Sequence, residues 1–307
     1  MRFERPLRKT TSYGIQGVLA LSVGWFVYKN VAGNLEDFGA IRSELDLSFV
    51  PIAIAACLIW SSYAALIFGW RLILKGWGES LSVRSATYIW CVSNLGRYIP
   101  GKIWSIAGMA ILAQRQGVSG WAATGSAIAM QLLAMTTGTV FVLMFVPDGM
   151  NPVMLALTLC IAFGAISVLG VERFMEFFRR FFGNRFQLRP LPVPTILSGL
   201  AITGLAWLGY GAALIFVAKG TVPGAVLSFE FATGTFAAGY IVGLIALFAP
   251  GGLVVREGVL LGLLTPSLGV GPAMAITVAS RLMFTFTELS VALAAIIFHP
   301  GSQGDIG

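Results

Sequence analysis

The chain has 307 residues, 57% of them apolar and 11% charged, with a formal net charge of +7. That balance excludes an ordinary soluble domain and fits a polytopic helical membrane protein. Three cysteines inside apolar runs and one histidine, His299, argue against a disulfide framework or a metal centre, so no metal or cofactor is expected.

Arg2, Arg5, Arg8 and Lys9 precede an apolar run over about Tyr13–Val31. A signal peptide's apolar core is about 7–15 residues; this run is longer and reads as a first span. An acidic loop follows, with Glu36, Asp37, Glu44 and Asp46 against Arg42. A second span covers about Phe49–Leu74, flanked by Arg71, Lys75 and Arg84.

The next apolar segment, about Ala86–Ala113, is interrupted by Asn94, Arg97, Pro100, Gly101 and Lys102. Its arms, Ala86–Leu95 and Ile103–Ala113, each span roughly 15 Å as helix, half of a hydrocarbon core of about 30 Å. Backbone freed at a Pro-Gly break is tolerated inside a bilayer only where protein or water satisfies it. The pattern predicts a re-entrant hairpin; one long, kinked span is the alternative.

Further spans are predicted over about Gly120–Val146 and Pro152–Gly170, separated by a turn holding Asp148. Phe174, Phe177, Phe178, Phe181 and Phe182 then recur on one helical face, opposite Arg173, Glu176, Arg179 and Arg180. This reads either as an interfacial helix lying on the membrane or as a connecting helix packed on the bundle. Pro190, Pro192 and Pro194 stiffen the linker to a span over about Thr195–Ala218. A second broken segment, about Ser228–Leu264, is interrupted at Pro250-Gly251-Gly252 and carries Arg256 and Glu257. The last span, about Pro272–Phe298, contains Arg281 and Glu288.

The expected fold is therefore all-α: about six full spans plus two Pro-Gly-broken re-entrant hairpins, in a single transmembrane domain over residues 1–307. The element order repeats, which divides the chain into pseudo-repeats of about 1–150 and 151–307. Pro100-Gly101 and Pro250-Gly251 lie 150 residues apart, and at that offset Gly108 matches Gly258 and Trp90 faces Tyr240. Breaks at corresponding positions of two halves point to a transporter's binding site. With a re-entrant first hairpin, the basic loops around Lys75–Arg84, Arg115 and Arg173–Arg189 share one side with the N-terminus. The acidic loops share the other. The halves are then inverted, and both termini face the cytoplasm of a bacterial inner membrane.

The segments Gly96-Arg97-Tyr98-Ile99-Pro100-Gly101-Lys102-Ile103-Trp104 and Ala249-Pro250-Gly251-Gly252-Leu253-Val254-Val255-Arg256-Glu257-Gly258 carry a resemblance. They resemble the two signature segments of the lysylphosphatidylglycerol synthase transmembrane (flippase-like) family, and the likeness covers essentially the whole chain. Val254-Val255 stands where a Gly-containing pair is commoner. The resemblance implies translocation of aminoacylated phospholipid, in some members joined to a soluble aminoacyl-transferase domain. This chain has no room for that domain, so the expectation is a stand-alone membrane domain.

Arg97, Lys102, Arg256 and Arg281 are the deep cations, and Glu257 and Glu288 the deep anions. An excess of buried positive charge needs a neutraliser, and a lipid phosphate fits, since Arg offers a bidentate fork and Lys a point charge. Asn94 joins these as a candidate contact, with Pro100, Gly101, Pro250, Gly251 and Gly252 as hinges. Plainer readings stand beside this one. Arg281 and Glu288, seven apart on one helix face, serve as structural partners of charges elsewhere; Arg256 and Glu257 pair locally with other helices; Arg97 and Lys102 snorkel to the interface. Asn94 and Gln131 act as interhelical hydrogen-bond glue, and Gly239-x-x-x-Gly243 as a packing stripe.

The function this supports is a flippase-like transporter of an anionic phospholipid, aminoacylated phospholipid or lipid-linked precursor. The alternative is an accessory subunit or membrane-embedded enzyme of lipid or glycolipid synthesis. No catalytic Ser/His set or paired-Asp motif favours the enzyme. The expected partners are membrane lipid and a synthase or glycosyltransferase on another chain, with no nucleic acid.

Overall fold

The computed structural model describes residues 47–98, 103–146, 190–245 and 254–298. Among these, the regular elements are all helices: α1 (Phe49–Gly76), α2 (Val83–Asn94), a short turn of 3-10 helix (Leu95–Tyr98), α3 (Ile103–Gln114), α4 (Gly120–Phe145), α5 (Val193–Thr221), α6 (Phe229–Ile245), α7 (Val255–Leu268) and α8 (Val270–Phe298). Four of them, α1, α4, α5 and α8, have 26 to 29 residues and are long and apolar enough to cross a membrane. The other four have 12 to 17 residues, short of about 30 Å at 1.5 Å per residue. The spans expected over about Tyr13–Val31 and Pro152–Gly170, and the stretch holding Phe177, Arg179, Arg180 and Phe181, lie outside the described residues.

Small residues let the long helices approach, as packing without a hydrophobic drive requires. A methyl at Gly69 would meet Ile202 at 3.0 Å, one at Gly76 would meet Thr195 at 3.1 Å, and Gly209 faces Ser62. The partners descend as α1 ascends, so α1 and α5 run antiparallel, and Ser48 N–H donates to Gly220 C=O at the far end, 3.0 Å. By contrast α4 and α5 are parallel: Gly199 lies under Leu133 and Gly138 under Trp207, whose Nε1 donates to Ala134 C=O at 3.0 Å. At the centre of one core, Trp70 is fully buried. Its Nε1 donates to Ser126 Oγ at 2.8 Å, which satisfies a group that would otherwise cost several kcal/mol in hydrocarbon.

The two arms of the first broken segment fold back on each other. A methyl at Gly108 would sit 3.4 Å from Ser93 Cβ, and one at Gly96 would sit 2.8 Å from the backbone of Trp104 and Ser105, so only glycine fits at Gly96. Ser85 Oγ at the start of α2 reaches Gln116 Oε1 beyond the end of α3 at 3.4 Å. Ser119 N–H, capping α4, donates to Glu79 at 3.1 Å. The pair therefore leaves and returns at one level. Further along the chain α6 packs on α7, with Gly239 against Leu260; a methyl there would overlap Leu260 and lie 3.4 Å from Arg256 C=O. Gly239 thus has the packing role that its spacing predicts.

The α5–α6 contact gives a stability prediction. A methyl on Gly211 would overlap Thr233 Oγ1 and lie 2.7 Å from Thr233 Cα, which is backbone and cannot step aside. Gly211→Val is expected to cost at least about 1–3 kcal/mol through overpacking, measured as a lower unfolding midpoint in micelles. Gly262→Ala, with nothing within 4 Å of the added carbon, is the control and is expected to gain up to about 1 kcal/mol of helix propensity.

Candidate functional site

The tip of the first hairpin meets the middle of α8. Arg97, on the turn after α2, donates from Nη1 to Glu288 Oε1 at 2.6 Å and from Nη2 to Asn94 Oδ1 at 2.7 Å. Asn94 Nδ2 in turn donates to Trp90 C=O at 2.9 Å, which fixes the amide's orientation. Tyr98 O–H reaches Glu288 Oε2 at 2.6 Å, and Tyr63 O–H of α1 reaches Oε1 at 3.4 Å. One carboxylate thus receives donors from α1 and from the hairpin tip. Its side chain is 11% exposed and that of Arg97 31%, so the guanidinium does not simply reach out to the interface.

A second pair lies beside it. Arg281, two helical turns before Glu288 on α8, approaches Glu257 Oε1 at 3.5 Å, and its guanidinium lies 5.9 Å from the Tyr98 ring. Glu257 sits in the first turn of α7, where the helix dipole favours an anion. Val254, just before that helix, has φ 66 and ψ −44, a positive-φ backbone that a β-branched residue rarely adopts.

The third cation behaves differently. Arg256 is 9% exposed and forms no ion pair among the described residues. Its guanidinium carbon lies 4.7 Å from the Phe236 ring centre and 4.9 Å from that of Phe284. Its Nη2 is buried with no hydrogen-bond acceptor among the described residues, and Gln131 Nε2 is buried without one as well. Both residues line a cavity of about 130 Å³, walled also by Arg97, Glu288, Trp90, Trp207, Tyr210 and Phe284. A second cavity of about 90 Å³ shares Asn94, Arg97, Gln131, Tyr240, Arg256 and Glu288 with the first and adds Tyr98 and Arg281.

The lysylphosphatidylglycerol synthase TM region family matches residues 15–295 of the chain. The chain belongs to this family. No curated protein matches it. Membership, with four helices long and apolar enough to span, makes it an integral membrane protein.

Of the residues expected at the site of this family member, Asn94, Arg97, Arg256 and Glu288 line one cavity, and Arg281 joins them at the other. Glu257 lines neither. Lys102 and the hinge residues Pro100, Gly101, Pro250, Gly251 and Gly252 lie outside the described residues. Two of the four deep cations have a carboxylate partner, which is the plainer reading of Arg281 and Glu288 as structural partners of charges elsewhere. Glu288 engages Arg97 and Glu257 engages Arg281 because helix packing brings each carboxylate, distant in sequence, to the cation. Of Arg256 and Glu257, expected to pair with other helices, Glu257 pairs with Arg281 of α8, while Arg256 stacks on Phe236 and Phe284. Sequence reasoning also missed Tyr63, Tyr98 and the aromatic wall of Trp207, Tyr210, Phe236 and Phe284. The available signal was a Tyr or Trp in mid-span, away from the interfacial belts where these residues usually concentrate.

Proposed function

We propose that the protein is a flippase-like carrier that moves an anionic phospholipid, aminoacylated phospholipid or lipid-linked precursor between leaflets. The observation that carries this reading is Arg256, a buried guanidinium without an ion-pair partner among the described residues, facing a cavity beside Arg97. A buried unpaired charge is costly, and a lipid phosphate neutralises it while accepting the open N–H. The acyl chains remain in the bilayer.

Helix directions support two inverted halves. The first hairpin opens beside the C-terminus of α1. The C-terminus of α5 lies beside the N-terminus of α1, and α6 starts shortly after it, so the second hairpin opens from the opposite side. In sequence, α4 and α8 begin at Gly120 and Val270, 150 residues apart. Two helix pairs, α2–α3 and α6–α7, that each contribute residues to the charged site give a path that each leaflet reaches in turn. A bacterial inner membrane, with a synthase or glycosyltransferase on another chain supplying the lipid, is the setting in which this carrier works.

The test is reconstitution of purified protein in liposomes with head-group-labelled lipids. The expected result is selective movement of an anionic lipid between leaflets, abolished by Arg97→Ala or Arg256→Ala in proteins that still insert and fold. Chemical conversion of the lipid points to an enzyme instead. Full movement in both variants removes these arginines from the site.

A further inference from the structure

Resting on the carrier reading, we infer that the cavity selects a head group whose phosphate charge is left unbalanced and whose remainder is a small neutral polyol or single sugar. It discriminates against head groups that also carry an amine, whether zwitterionic or aminoacylated.

A cationic amine needs a carboxylate that faces the cavity and has room and charge to spare. Glu288 faces it, but its oxygens already accept from Arg97, Tyr98 and Tyr63. A carboxylate offers about four lone-pair sites, and the adjacent guanidinium neutralises its charge. Glu257 has open oxygens yet lines neither cavity. Among the described residues that line the cavity, the buried side-chain atoms left without a hydrogen-bond partner are donors, Arg256 Nη2 and Gln131 Nε2. Arg256 and the paired Arg97 and Glu288 sum to a positive wall, so an entering ammonium meets net repulsion where an oxygen-rich group meets hydrogen bonds.

Aromatic faces alone also suit a quaternary ammonium. Here, however, Phe236 and Phe284 already stack on Arg256, and that guanidinium occupies the negative ring faces an ammonium would use. Trp207 commits its indole N–H to Ala134 C=O and leaves its carbon surface for an apolar contact. The cavity of about 130 Å³ is of the order that holds one six-membered ring, which limits the neutral part to a short polyol or one hexose.

The experiment measures binding of three short-chain lipids, phosphatidylglycerol, phosphatidylcholine and lysyl-phosphatidylglycerol, to the full-length protein in detergent by native mass spectrometry. Phosphatidylglycerol is expected to bind at least about tenfold tighter than either amine-bearing lipid, the factor one charge-assisted hydrogen bond supplies. Gln131→Met keeps the volume but removes the open amide. It is expected to weaken phosphatidylglycerol binding by about tenfold or less while the melting temperature and the weaker lipids' binding stay unchanged. Equal or tighter binding of either amine-bearing lipid overturns the selectivity and leaves the carrier reading standing. Failure of all three to bind overturns both.

Discussion

Glu288→Ala is expected to destabilise the folded protein by up to about 3–5 kcal/mol, the cost of breaking a fully buried ion pair by removing one partner, reduced here because the Arg97 side chain is 31% exposed. The substitution leaves Arg97 Nη1 and the Tyr98 hydroxyl, both now 2.6 Å from the carboxylate, facing an empty space in a low-dielectric wall. It also frees the hairpin tip from α8, since these bonds join residues nearly two hundred positions apart in the chain. Reversible unfolding in mixed micelles reads the loss. Glu288→Gln keeps the shape and one acceptor, so a smaller loss is expected from it.

The decisive companion is the double variant Arg97→Met/Glu288→Met. Replacing both partners with apolar groups of similar size removes the uncompensated charge, and such swaps are often neutral or stabilising. Most of the lost stability is expected to return, reduced by about 1–3 kcal/mol for the tyrosine hydroxyl left without an acceptor. Transport is not expected to return, because a phosphate then loses one of the two cations at its cavity. Near-wild-type stability in Glu288→Ala alone contradicts the buried pair.

The spans within the described residues were legible because apolar runs of more than twenty residues have one stable solution in lipid, the helix. Predicted ends at Leu74, Ala218 and Pro272 fall within three residues of the observed Gly76, Thr221 and Val270. The fold-back of α2 and α3 was legible too, from arm length and the Pro-Gly break. What the sequence hid was pairing. Charge counting gives an excess of cations without saying which are quenched, because that depends on α8 placing Glu288 against the hairpin tip and Arg281 against α7. The aromatic wall was hidden for the same reason: Trp207 and Tyr210 on α5, Phe236 on α6 and Phe284 on α8 converge only after the helices pack, with ring centres 4.7 to 6.3 Å apart.

Arg256→Met is expected to make the protein more stable and inactive at once. The guanidinium is 9% exposed, has no ion-pair partner among the described residues and leaves Nη2 without an acceptor. Replacing buried charge with well-packed apolar side chains has gained roughly 1–4 kcal/mol where ion pairs were removed, and here there is no pair to lose. Stacking on Phe236 and Phe284 at 4.7 and 4.9 Å offsets part of that gain, each cation–π contact contributing from about 0.5 kcal/mol when exposed to about 2 kcal/mol when desolvated. The open donor and the missing counter-ion still set the sign. Methionine fills irregular space and makes favourable contacts with ring edges, so the site closes without a void. The sign separates the two roles Arg256 can have. A residue kept for structure lowers the melting temperature when it is removed. One kept for an anionic ligand raises the melting temperature of the empty protein, abolishes lipid movement and removes the extra stabilisation that added phosphatidylglycerol gives the wild type by mass action. Arg256→Lys separates charge from shape: it keeps the cation, loses the planar stack and the fork, and is expected to retain weak transport with little gain in stability. A melting temperature that falls in Arg256→Met, with lipid stabilisation intact, assigns the arginine to the fold and removes it from the carrier site.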